Sequence, residues 1–142
     1  MSPYRFLEEV AIADVAFEAE GEDLDTLFEA AALALTETMV DPRDIRPVVE
    51  RRLTLEADGL EALLFEWLGE LIYLKDAEGL LFSRFEVHVS RDPRSRLGAR
   101  ILGEPIDPQR MRLAADVKAA TYHLFALEQR RGGWWARVVL DV

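Results

Sequence analysis

The chain contains no cysteine, which excludes disulfide bridges, thiolate metal sites and cysteine nucleophiles. Histidine is nearly as scarce, with two in 142 residues, His88 and His123. Each falls in a strand-like stretch, and the sequence pairs neither with a catalytic partner. Serine occurs four times, as Ser2, Ser83, Ser90 and Ser95. None lies in a G-x-S-x-G setting, so a nucleophile elbow is absent. Glycine-rich phosphate loops are missing too; RRGGW at 130–134 lacks a strand–loop–helix context and reads as a turn. No apolar run approaches the ~18 residues of a membrane span, and MSPYRFLEEV has neither the basic nor the apolar block of a signal peptide. These absences disfavour a classical hydrolase or nucleotide-using enzyme and make the cytoplasm the expected compartment.

Positive charge is the remaining scarcity, and it is local. Residues 1–42 hold eleven acids against a single base, Arg5, whereas the remaining hundred residues hold sixteen of each sign. The net charge of −10 therefore resides in the first third of the chain. Such a surface repels phosphate backbones, so no direct nucleic-acid binding is expected; a cationic protein partner or a bound metal suits it better. The same acidity also serves solubility.

What is present is enough for one ordinary domain over 1–142, with 50% apolar residues and no repeat or long linker. FLEEVAIADVAFEA at 6–19 reads as a strand in which Val10, Ile12, Asp14 and Ala16 share a face. A helix follows, with Asp23 as its cap and an apolar stripe of Leu24, Leu27, Phe28, Ala31 and Leu35. It should end near Asp41-Pro42, because residues before proline avoid the helical region. RLTLEA at 52–57 alternates as a strand. Asp58 and Glu61 have the spacing of a capping box ahead of a second helix, striped by Leu60, Leu63, Leu64, Trp67, Leu68, Leu71 and Leu74, with Gly79 as its stop. Strands are then expected at 82–89, 97–102 and 117–129, with GEPIDPQR as a loop, RRGG as a hairpin turn and WWARVVLDV at 134–142 as the closing strand. Two early helices among many hairpin-linked strands argue an α+β fold, a largely antiparallel or mixed sheet with both amphipathic helices packed on it.

Carboxylates are the chemistry on offer. Asp14 stands in an apolar strand row, and Asp141 stands beside the α-carboxylate of Val142 at the end of another strand. An ionised carboxylate among apolar neighbours is costly unless compensated. A hard divalent cation would compensate it, since Ca²⁺ and Mg²⁺ choose oxygen ligands. An ion pair with Arg137 or Lys118 would serve as well, and so would a solvated strand end with no role; spacing leaves the three open. Glu66 and Glu70 edge the second helical stripe in the manner of a solvated helix margin. Trp134-Trp135 puts one indole on each face of the last strand, either as core plus one exposed aromatic or as a partner anchor.

Together FLEEVAIADVAFEAEG, LDTLFEAAALALTETMVDP, LEALLFEWLGELIYLKDAEGLLFSRFEV, GEPIDP, DVKAATYHLFAL and GGWWARVVLDV resemble the archease family, in order and over nearly the whole chain. The resemblance implies a small acidic, non-catalytic activator of the RtcB-type tRNA-splicing RNA ligase. Such an activator promotes guanylylation of the ligase on a histidine and multiple turnover, and broadens the nucleoside triphosphates accepted. It also implies a divalent cation, Ca²⁺ with Mg²⁺ as the alternative, on Asp14, Asp141 and Val142, and a functional charge at Lys118. The common family segment E-H-T-A-D is VAIAD here at 10–14, without the histidine and threonine, and the loop after GEPIDP reads QRMR without a histidine often found there. Two rival readings belong to other classes: a generic chaperone or interaction module with an acidic client-binding face, and a small metal-dependent hydrolase on Asp14 and Asp141. The hydrolase ranks below both because no third side-chain ligand or base is evident.

Overall fold

A computed structural model describes residues 3–7 and 14–142. The expected strand at 6–19 is two strands, β1 (Tyr4–Leu7) and β2 (Asp14–Gly21), paired antiparallel with Leu7 opposite Ala16 and Tyr4 opposite Ala19. Alternation marks which residues share a face but carries no chain direction, so one apolar run can feed two strands. Val10 and Ile12 lie outside the described residues.

Helix α1 (Leu24–Met39) begins where expected: the Asp23 carboxylate accepts from the Thr26 N–H at 2.8 Å. Ten of its sixteen residues are buried, well beyond the single expected stripe. The reason is architectural. Strand β3 (Val49–Ala57), helix α2 (Leu60–Glu78), β4 (Leu80–Ser90), β5 (Ser95–Pro105), β6 (Ala119–Arg130) and β7 (Gly133–Asp141) complete two antiparallel sheets rather than one. Their orders are β1-β2-β7-β6 and β3-β5-β4. Both helices touch strands of both sheets, so the helices need apolar residues on more than one side, and the alanines of α1 provide them without bulk. The fold is α+β, as the pattern predicted, with two sheets sharing one helix-filled core.

Two local expectations fail for identifiable reasons. Asp58 does not cap α2: its side chain pairs with Arg94 at 2.9 Å, and Gly59 takes the cap position at φ 106° with no side-chain bond. The stop at Gly79 holds, with a left-handed φ of 65° and its N–H closing on Lys75 O. GEPIDPQR is not all loop, because β5 runs on to Pro105. Gly103 allows this: a Cβ there would sit 1.9 Å from the Leu81 carbonyl oxygen, so only glycine lets β4 and β5 approach.

The next residue, Glu104, is 3% exposed. Its carboxylate accepts from the Arg46 backbone N–H and from Arg46 Nε at 3.2 Å, and it pairs with Arg110. Burial pushes its pKa up, but the hydrogen bonds from Arg46 and the charges of Arg110 and Arg46 outweigh that and hold it below the usual 4.5. A folded-state pKa depressed below the unfolded one stabilises above the unfolded value, and the contribution drains away as pH falls through the folded one. Glu104→Gln should therefore melt below wild type at pH 7, and the gap between the two should narrow as the pH is taken well below 4.5. Melts that stay equally separated over that range would refute this.

Candidate functional site

Strand β7 lies in the interior of its sheet, between β2 and β6. Its register brings the sequence-predicted residues together: Asp14 is directly opposite Asp141, and Asp141 is also opposite Ala119. Residues directly opposite in an antiparallel pair share a face, with Cβ atoms about 4.5–5.5 Å apart. The two aspartates therefore project side by side from one end of the sheet, both half-buried. The face is fixed by alternation along β7. Ala136, Val138 and Leu140 enter the common core, so Trp135, Arg137, Val139 and Asp141 point to the other side. Val142 follows at once, half-buried and packed against the core.

Lys118 reaches this end through its backbone, its N–H donating to the Asp141 carbonyl at 2.8 Å, while its side chain is exposed. The ion pair weighed for the aspartates is not formed among the described residues: no described cation lies within bonding distance of either carboxylate. Arg137 is engaged elsewhere, its Nε donating to Leu124 O at 2.7 Å. It sits opposite Glu18, four residues from Asp141 along the strand, or about 13 Å at strand rise. Glu18 in turn pairs with Arg5 at 2.8 Å. Two acidic side chains thus face each other, and neither forms an ion pair with a described residue.

The donor set suits a hard cation, which takes carboxylate and main-chain oxygens in flexible geometry. It comprises the two opposed carboxylates of Asp14 and Asp141. Among the described residues no third Asp, Glu or His side chain joins the pair, so any remaining coordination would fall to main chain and water.

Other candidates do not converge here. His88 is solvent-facing, with a side chain 90% exposed and 3.3 Å from Asp25. His123 and Glu66 are exposed and Glu70 is half-buried. The tryptophans do occupy opposite faces, but neither is a free anchor. Trp135 is buried beneath Arg130 at 3.6 Å, and Trp134 packs on the core with Arg91 5.3 Å away. They line an open cleft of about 860 Å³ with Glu20, Gly21 and Arg131. Gly21 pairs with Trp134 at the far end of the β2–β7 ladder from Asp14, so the cleft and the carboxylates are separate features.

Sequence reasoning missed one feature outright. Between Thr121, opposite Val139, and Ala126, opposite Arg137, β6 carries four residues against one on β7. Leu124 within this bulge has φ 55°, a left-handed conformation rare for leucine. No turn residue in TYHLFA announces it.

The match to a family model closes the question of kinship: residues 4–142 fit the Archease protein family. This chain belongs to the archease family. Among curated relatives, the archease of Methanosarcina mazei is 36% identical over 98% of this chain and 95% of its own length. That of Pyrococcus furiosus is 39% identical over 92% and 93%. The solution structure of Methanobacterium thermoautotrophicum protein 1598 superposes with a TM-score of 0.87 at 36% identity, covering 100% of both chains. A Thermotoga maritima archease, described as a possible chaperone, shares the fold at a TM-score of 0.64 and 21% identity, over 97% and 98%. As an archease-family protein the chain is thus spanned almost end to end by its relatives. No helix among the described residues is long and apolar enough to cross a membrane.

Proposed function

We propose that this protein is a non-catalytic, cytoplasmic activator of an RtcB-type RNA ligase in tRNA splicing, acting through the end of the sheet that carries Asp14 and Asp141. The observation that supports it most is the pairing of these two carboxylates, 127 positions apart in sequence and directly opposite in register, neither of them in an ion pair with a described residue. A divalent cation, Ca²⁺ or else Mg²⁺, would supply charge neutralisation at this end of the sheet. Asp14 and Asp141 would hold it from β2 and β7, with the main-chain oxygens of Val142 completing the protein's share. Lys118, exposed beside the pair, offers the partner a positive contact at an otherwise acidic tip. The tip suits a basic, metal-containing active site, where complementary charge guides docking and orients bound phosphates. The chemistry remains with the ligase.

The test is single-turnover guanylylation of the cognate ligase with and without this protein. Stoichiometric protein should speed the step, and adding residues after Val142 should remove the effect while leaving the fold intact. No acceleration with adequate Mg²⁺ would sink the proposal; normal activation by the extended chain would remove the Val142 carboxylate from the ligand set. A second reading draws on the Thermotoga relative's description and on exposed Tyr122 and Leu124, which would suit client holding. It predicts suppression of aggregation that is indifferent to changes at Asp14 and Asp141.

A further inference from the structure

We propose that Lys75, on helix α2, is a positioning residue for the carboxylate tip: it fixes the 116–118 segment whose last N–H holds Asp141. The inference rests on the reading of that tip as a cation site. Lys75 lies in the last turn of α2, one helical turn beyond Leu71 on its buried side, and its side chain is 6% exposed. Taking an ammonium out of water is expensive unless it is paired and bonded. Here three acceptors surround it: Nζ donates to Asp116 Oδ1 at 2.5 Å and to the Val117 carbonyl at 2.6 Å, and it pairs with Asp76 Oδ1 at 2.8 Å. Two of those acceptors belong to consecutive residues of the loop leading into β6.

The consequence follows the chain. Val117 is fully buried, and Lys118, immediately after it, donates its N–H to the Asp141 carbonyl at 2.8 Å. One residue and one hydrogen bond separate the buried ammonium's contact from the proposed ligand's own backbone. Upstream, the loop is next tied down by the N–H groups of Ala114 and Ala115, bonded to Met39 and Thr38 carbonyls. An apolar residue at 75 would fill the space equally well, but it could not orient a carbonyl and a carboxylate. Metal sites depend on such outer groups, whose loss typically costs about 10- to 100-fold in metal affinity.

The experiment compares Lys75→Met and Asp116→Asn with wild type by Ca²⁺ calorimetry well below the melting midpoint and by residue-resolved amide exchange. Lys75→Met should weaken Ca²⁺ binding about 10-fold and speed exchange at the Lys118 amide. Val138 and Leu140, in the middle of β7, should keep their protection. A purely structural lysine would lower the melting temperature and leave both readouts unchanged, and that result overturns the proposal. Should Lys75→Met fail to fold, Asp116→Asn decides. The Asp116 side chain is 75% exposed, so this variant should fold and shift both readouts in the same direction by less; unchanged readouts overturn the proposal. If wild type itself takes up no Ca²⁺, the tip reading falls, while the exchange arm still reports whether Lys75 fixes Lys118 against Asp141.

Discussion

Without divalent cations, Asp14→Asn should melt a few degrees above wild type, and the same substitution should abolish stabilisation by Ca²⁺. The two effects have one cause. Asp14 and Asp141 are directly opposite in the β2–β7 ladder, and like charges so placed destabilise a sheet by about 0.2–1 kcal/mol. Replacing one with a neutral isostere relieves that repulsion, worth roughly 1–4 °C in a chain of this size. The gain comes at the expense of the cation, because only one carboxylate remains to hold it. In wild type, Ca²⁺ at about a hundred times its dissociation constant should add about 2.7 kcal/mol by linkage, and in the variant nearly nothing. Asp141→Asn should behave alike, since the pair is symmetric in register. A simple solvated strand end predicts neither change. A metal-free melt of Asp14→Asn at or below wild type would show that the repulsion is already screened, and Ca²⁺ stabilisation surviving in both variants would remove the site.

The largest loss of stability is expected from Trp67→Ala, by about 3–5 kcal/mol. Trp67 is fully buried, stands edge-on to Phe85 of β4 at 6.1 Å and donates its indole N–H to the Phe28 carbonyl of α1 at 3.0 Å. One side chain on α2 thus touches the other helix and a strand of the β3-β5-β4 sheet. Truncation opens a cavity at the meeting of three elements and removes a buried hydrogen bond. Trp67→Phe keeps most of the packing and loses the donor, so it should cost about 1–2 kcal/mol. Chemical denaturation of both variants measures the difference; a cost below about 1 kcal/mol for the alanine variant would mean that the core closes over the gap.

Much of this arrangement was legible in the residues. The stripe from Leu63 to Leu74 is buried, Gly79 ends its helix, and the closing strand expected at 134–142 is there as Gly133–Asp141. Asp14 was conspicuous because it interrupts an apolar row. What stayed hidden depends on partners distant in sequence. Nothing in Asp58 says that Arg94 will claim it, or in 6–19 that Leu7 will face Ala16. The division into two sheets is invisible locally, because a strand's pattern records which face is apolar and not which neighbour it meets. Asp14 opposite Asp141 lies between the two cases: composition supplied both acids, the family resemblance grouped them, and the ladder's register sets them directly opposite.

That ladder also bears on how the molecule assembles. The strands of the β3-β5-β4 sheet, with α2, lie within residues 49–105 and can find one another at short range. By contrast, even the nearest-sequence partners of the β2–β7 ladder, Gly21 and Trp134, are more than a hundred positions apart. Closing so long a loop is entropically slow, since its cost precedes the contacts that reward it. Until β7 arrives, β2 has β1 on one side and an unpaired edge on the other, the kind of edge through which incomplete chains join one another. The alignment that gives the carboxylate pair its geometry is therefore expected among the late events of folding, and the acidic residues along β2, Asp14, Glu18 and Glu20, keep nascent copies apart while it waits.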